Sequence, residues 1–155
     1  MKNSTTINQV QVGMGLLVIR DGKVLVGKRK GSHAAGLYSF PGGHLDYGET
    51  WENCVQRELI EECGDRLKVE IVPYDATHKE FFVTNDIMPQ YGKHYITIFM
   101  VAKWIEGEAE NMEPEKCEGW EWVDYNKLCE ISKIGDCATW IPMNLISSNL
   151  ERIGL

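Results

Sequence analysis

Paired cysteine spacing is missing from this chain: its five cysteines, Cys54, Cys63, Cys117, Cys129 and Cys137, are odd in number and none stands in a C-x-x-C pair. That excludes a disulfide framework or a structural zinc site as the organising element, and reduced thiols imply a cytoplasmic protein. No apolar run approaches the roughly 18 residues that a membrane helix needs. The opening MKNSTTINQ is polar and offers no signal-peptide core, so no membrane partner is expected. Positive charge is also short. Sixteen Lys and Arg against twenty-three Asp and Glu leave a net charge of -7, which excludes a general binder of nucleic-acid polymers. Any anionic substrate must be met locally. Internal repeats are absent, and 155 residues with 43% hydrophobic content make one domain over residues 1–155 with a single sizeable core.

What is present is a concentration of acid. Gly42 to Gly64, GGHLDYGETWENCVQRELIEECG, reads as a short loop feeding a helix that carries Glu58, Glu61 and Glu62. At about 100° per residue these three carboxylates share an arc of about 100°, beside Trp51, Cys54, Val55 and Leu59. Carboxylates crowded against an apolar face repel one another and lose solvation, which is tolerable if they are protonated, paired with Arg or Lys, or neutralised by a cation. An all-oxygen set favours hard ions, Mg²⁺ or Mn²⁺, over zinc. The alternative is a solvated acidic face beside Arg57.

The spacing from Gly43 through Glu49, Arg57-Glu58-Leu59 and Glu61-Glu62 to Gly64 resembles the signature of the Nudix hydrolases. Family signatures close with an apolar residue after the glycine, where this chain has Asp65, so the next strand is expected from Leu67. GKRKGSHAAGLYSFPGGHLDYGE, HYITIFM and MEPEKCEGWEWV extend the likeness to the branch that hydrolyses nucleoside triphosphates, including guanine nucleotides and their analogues. The resemblance implies an α/β fold, an α-β-α sandwich around a curved mixed sheet, a homodimer, and Mg²⁺-dependent hydrolysis of a nucleoside triphosphate to monophosphate and pyrophosphate by metal-activated water. It implies that Glu58, Glu61 and Glu62 form the catalytic and metal-binding set, and that Arg57 steadies them through Glu49 or Glu61. It also brings a backbone oxygen of Gly42 to the metal and a further carboxylate, Glu113 or Glu115, from outside the helix. Two other readings stay open: a diphosphate hydrolase for nucleotide sugars, dinucleotides or prenyl diphosphates, and a silent nucleotide-sensing domain.

Along the chain, alternating Val10, Val12, Met14, Leu16 and Val18, an Asp21-Gly22 turn and Val24 to Val26 predict a hairpin. Gly13 and Gly15 mark either tight packing or close approach of another group. Within Lys28-Arg29-Lys30, Arg29 is the candidate phosphate clamp, since a guanidinium can hold two phosphate oxygens. Pro41-Gly42-Gly43 predicts a sharp turn, and Gly43 is counted with the substrate residues. His44, next to it, is read as a supporting hydrogen-bond group, and His78 and His94 as structural, while His33 lies near the same turn. Thr50 predicts the helix N-cap and Gly64 its end. Leu67 to Tyr74 and Thr77 to Val83 predict strands, Thr84 to Gly92 a polar loop, and His94 to Trp104 a central buried strand. Gly119 to Val123 predicts a strand, Asp124 caps a helix, and Ala138 to Leu150 predicts a last helix with Pro142 in its first turn. Trp140 at that helix start is the candidate to stack on a nucleotide base, against a plain packing role.

Overall fold

The Asp21-Gly22 pair closes the first hairpin with φ of 48° and 72°, the doubly left-handed turn whose twist suits two strands. Strand β1 (Gln11–Arg20) enters it and β2 (Lys23–Arg29) leaves it, with Ile19 opposite Val24. The computed structural model describes residues 9–31, 35–73 and 81–132, together with 151 and 155. Trp140, His33, His78 and the expected helix at 138–150 lie outside the described residues.

After β3 (Tyr38–Ser39) and β4 (Gly42–His44) come helix α1 (Trp51–Cys63), β5 (Lys68–Ile71), β6 (Phe81–Met88), β7 (Lys93–Glu106), β8 (Cys117–Asp124) and α2 (Tyr125–Ser132). All eight strands form one sheet, with the path β3-β2-β1-β7-β5; β4 joins β1, β6 joins β7 and β8 joins β2. Among the described residues only the β1/β7 pair is parallel, running from Gln11 opposite Tyr95 to Ile19 opposite Lys103, so the sheet is mixed. Its two faces are separate cores. Met14, Leu16, Val18, Ile98 and Met100 pack with Cys54, Val55 and Leu59 of α1, while Leu17, Ile19, Phe99 and Val101 pack with Leu128 and Ile131 of α2. This is the expected α/β architecture, with α2 supplying the second helical layer. Among the described residues no helix is long and apolar enough to cross a membrane.

Two local expectations are corrected. Pro41-Gly42-Gly43 does not end in a turn: Gly42–His44 pairs antiparallel with β1, Gly42 opposite Gly15 and His44 opposite Gly13. Gly42 has φ 156°, and a side chain there would run into the Met14 carbonyl, so glycine serves a close strand contact. Thr84 to Met88 is not loop but strand, because β7 offers it a full edge, from Thr84 opposite Thr97 to Met88 opposite Lys93. Only Pro89–Tyr91 forms a single tight turn before Gly92. β5 starts at Lys68, one residue past buried Leu67, as the displaced apolar position after Asp65 predicts.

Gly15 marks tight packing, since a Cβ there would lie 2.5 Å from the Phe99 ring, whereas one on Gly13 would stand 3.4 Å from Thr97 Oγ1. Gly15→Ala is therefore expected to lower stability by about 1–3 kcal/mol in urea unfolding, and Gly13→Ala by much less. Equal losses would contradict the assignment of Phe99 as the obstacle.

Candidate active site

Helix α1 starts where Thr50 accepts the Asn53 N–H at 3.2 Å and ends where Gly64 donates to the Ile60 carbonyl at 3.0 Å. Cys54, Val55, Leu59 and Cys63 bury its inner stripe against the sheet. That fixes its rotation and turns Glu58 and Glu62, one helical turn apart, toward β4. β4 has no side chains in the way: the Glu58 carboxyl occupies the space a Gly43 Cβ would fill. The Gly42 N–H donates to Glu62 Oε2 at 2.9 Å.

Arg57 gathers the surroundings. Its Nε and Nη2 donate to the two oxygens of Glu49 at 2.9 and 3.0 Å, its Nη1 to Glu58 Oε1 at 2.8 Å, and its Nη2 also to the His44 carbonyl at 3.0 Å. Glu61 is the looser member, 3.5 Å from Nη1 and half exposed. The paired guanidinium holds the Glu49 carboxyl down to about 2, and the same bonds raise Arg57 above its ordinary value. Glu62 has the opposite environment. Burial raises its pKa to about 8, helped by Glu58 and Glu113 and opposed by the Gly42 N–H and Arg29. Arg29 is itself lowered by burial, against the pull of Glu62.

Glu58, Glu61 and Glu62 line a cleft of about 640 Å³ together with Arg29, Gly42, Gly43, His44, Glu113 and Glu115. Ten of the eleven residues singled out in the sequence thus fall on or around one cavity; Arg57 stands behind its wall, and Trp140, the eleventh, is outside the described residues. Glu113 pairs with Lys116 at 2.7 Å. His44 Nε2 lies 2.9 Å from the Tyr95 hydroxyl, whereas His94 pairs with Asn85 on the edge of the sheet. Sequence reasoning missed Lys93, Tyr95, Thr97, Lys116 and Trp120, which also line the cleft. Tyr95 and Thr97 were visible as alternate polar positions in the apolar run of β7. Trp120, whose Nε1 donates to the Glu62 carbonyl at 3.2 Å, carried no such local signal.

The donor set suits a hard cation. Glu58 Oε1 is held by Arg57 and Glu62 Oε2 by Gly42, and the remaining oxygen of each has no protein partner among the described residues. Among the described residues no group of three or more His, Cys, Asp or Glu side chains is placed to hold a metal ion, so the fit rests on the pair Glu58 and Glu62. An open pair of carboxylates fits Mg²⁺, which retains waters and takes phosphate oxygens as ligands.

The NUDIX domain model matches residues 9–138, most of the chain. The chain belongs to the Nudix family. Relatives include the oxidized purine nucleoside triphosphate hydrolase of Danio rerio, 29% identical over 84% of this chain and 76% of that protein. The ADP-ribose pyrophosphatase of Methanocaldococcus jannaschii is also 29% identical, over 75% of this chain and 63% of its own length. A MutT Nudix hydrolase structure from Burkholderia pseudomallei is 26% identical with TM-score 0.61, covering 82% of this chain and 99% of that one. This Nudix hydrolase carries the acids of its helix in an uneven state, Glu58 paired and Glu62 buried.

The burial of Glu62 has a sign that can be measured. Its folded pKa of about 8 exceeds the ordinary 4.5, so the folded state holds a proton the unfolded chain has released between those values. Stability from this group therefore falls as pH rises from about 4.5 to 8. Without divalent ions, Glu62→Gln is expected to be more stable than the unaltered protein at pH 8.5, by about 2 kcal/mol since water still reaches the carboxyl. In urea unfolding the gap should close below pH 5; a gap independent of pH would contradict the burial account.

Proposed function

We propose that this Nudix hydrolase cleaves nucleoside triphosphates to a nucleoside monophosphate and pyrophosphate with Mg²⁺, for which Mn²⁺ substitutes. The observation that supports it best is the charge distribution of the cleft: Glu58 and Glu62 on one wall, and Arg29, Lys30, Lys93 and Lys116 around the others. Such a cavity accommodates a polyphosphate and a cation together, in a chain whose overall charge repels anions. Likeness to an oxidized purine nucleoside triphosphate hydrolase supports the triphosphate class.

In this reading Glu58 and Glu62 would hold the ion. When bound, Mg²⁺ supplies Lewis acidity, offsetting charge on the phosphoryl oxygens and making water a better nucleophile. Arg29 grips phosphate oxygens, and its position beside Glu62 places the chain under attack against the acid wall. As water oxygen forms its bond to phosphorus, the bond to pyrophosphate breaks, pyrophosphate leaves with the electron pair, and a cleft carboxylate accepts the water proton. Glu61, half exposed at the rim, is suited to pass that proton to solvent. Arg57 acts by orienting Glu58. Trp140 is the proposed base-stacking residue. A second reading, hydrolysis of a nucleotide-linked diphosphate, is supported by the likeness to an ADP-ribose pyrophosphatase, since the acid wall addresses phosphates and not what they carry.

A panel of GTP, ATP and ADP-ribose with Mg²⁺ tests this. Triphosphates are expected to give pyrophosphate as first product, with activity lost to chelator and restored by Mg²⁺ or Mn²⁺. Glu58→Gln and Glu62→Gln should each lower kcat by about 10² or more. Orthophosphate as first product, or turnover of ADP-ribose alone, would contradict the triphosphate reading.

A further inference from the structure

Opposite the acidic helix the cleft holds a carboxylate that a lysine of the same turn grips. Glu113 and Lys116 both line the cavity. Their turn is anchored on two sides: the Met112 N–H donates to the Glu62 carbonyl at 3.2 Å, the Lys30 N–H to the Lys116 carbonyl at 2.7 Å, and Lys30 Nζ to the Pro114 carbonyl at 2.9 Å. Within it the N–H groups of Lys116 and Cys117 both donate to the Glu113 carbonyl, at 2.8 and 3.0 Å. The backbone is therefore held, and the freedom left belongs to the two side chains.

Those side chains meet at a single point. Lys116 Nζ donates to Glu113 Oε1 at 2.7 Å, and the second Glu113 oxygen has no protein partner among the described residues. The carboxylate stands close enough to Glu62 to help raise its pKa, and Lys116, raised by its bond to Glu113, also feels the charge of Glu62. Yet among the described residues Glu113, Glu58 and Glu62 are not placed to hold an ion together. The restraint differs in kind from the one on Glu58. Arg57 is a rigid fork shared with Glu49, whereas Lys116 is a flexible point charge, 66% exposed. An exposed pair of that sort shifts an equilibrium by up to about fivefold. It exchanges readily, because a phosphate oxygen offers the ammonium the same charge-assisted bond.

We propose that Lys116 is a positioning residue that decides when Glu113 joins the cation site. With no nucleotide in the cleft, the pair holds Glu113 off the ion that Glu58 and Glu62 take; Mg²⁺ gives up its waters reluctantly, so a small restraint is enough. A polyphosphate entering the cleft takes Lys116 as its counter-ion, and the carboxylate set free replaces one water on the metal. Such coupling is reciprocal: phosphate that draws off Lys116 tightens cation binding, and an ion that takes Glu113 frees Lys116 for phosphate. The inference rests on the reading of Glu58 and Glu62 as a cation site for a polyphosphate substrate, whatever organic group that substrate carries. Spacing alone also makes Lys116 and Glu113 an ordinary turn contact, but a contact that only orders the turn has no reason to set the hydration of a bound ion.

The test is Mn²⁺ binding to the full chain without nucleotide, with free ion followed by electron paramagnetic resonance and the waters on the bound ion counted by proton relaxation. Lys116→Met should bind Mn²⁺ about threefold to fivefold more tightly, with one water fewer on the ion. Glu113→Gln alone should keep the water count of the unaltered protein, and the double variant should return to it. Lys93→Met, which removes the same charge from the cleft without freeing a carboxylate, should leave the count unchanged and so separates transfer of Glu113 from general electrostatics. In GTP turnover Lys116→Met should raise KM and lower the Mg²⁺ concentration for half-maximal rate, opposite shifts that Lys116→Arg should not show. Thermal melting reports folding, and Lys116→Gln serves if Lys116→Met does not fold. A water count unchanged in Lys116→Met, or a water gained in Glu113→Gln alone, would overturn the proposal while leaving the site of Glu58 and Glu62 standing. Mn²⁺ that binds the unaltered protein no better than it binds Glu58→Gln and Glu62→Gln would remove that site, and this inference with it.

Discussion

A single guanidinium ties together the three segments that form the acid wall of the site. Arg57 reaches back to Glu49 in the loop before the helix, sideways to Glu58 on its own helix and across to the carbonyl of His44 at the end of β4. These are charge-assisted bonds between partly buried groups, less screened than surface pairs, and the bidentate contact to Glu49 fixes direction as well as distance. Its reach is also its limit. Glu62, a turn farther on, lies beyond it and accepts from the Gly42 N–H with Arg29 nearby, so one acid of the pair is ion-paired on the helix and the other is buried with its carboxyl pKa raised to about 8.

The sheet supplies the other half of the arrangement. β1 is buried on both faces, with Met14, Leu16 and Val18 anchoring α1 and Leu17 and Ile19 anchoring the layer under α2. Its glycines do separate tasks at the end nearest the cleft. Gly15 makes room for Phe99, while Gly13 leaves the wall around Thr97 open. The rigid, two-sided core thus ends in a cavity on one face, and the helix on the other face reaches that cavity only through the side-chain-free strand Gly42-Gly43.

Features decided within a few residues were legible in the sequence. The Asp21-Gly22 turn, the Thr50 cap, the Gly64 terminus, the Asp124 cap, whose side chain accepts the Lys127 N–H at 2.8 Å, and the facing of Glu58 and Glu62 all follow from local geometry. Features decided by a distant partner were not. Gly42–His44 is a strand only because β1 lies alongside, and Thr84 to Asp86 is too polar to announce a strand until β7 and Thr97 satisfy it. The contact of Arg57 with Glu58 was likewise missed: the sequence pointed to Glu49 and Glu61, one of which it grips and the other it barely touches. The same division holds for the cleft, whose acid wall belongs to one helix while its other walls come from strands far apart in sequence.

Whether Glu58 and Glu62 act as one cation site is open to direct measurement by titrating Mn²⁺ into the protein and following free ion by electron paramagnetic resonance. A site shared by the two acids predicts saturable binding that weakens about tenfold or more in Glu58→Gln and in Glu62→Gln separately, with a smaller effect for Glu61→Gln. Undiminished binding in both the Glu58 and Glu62 variants would contradict it.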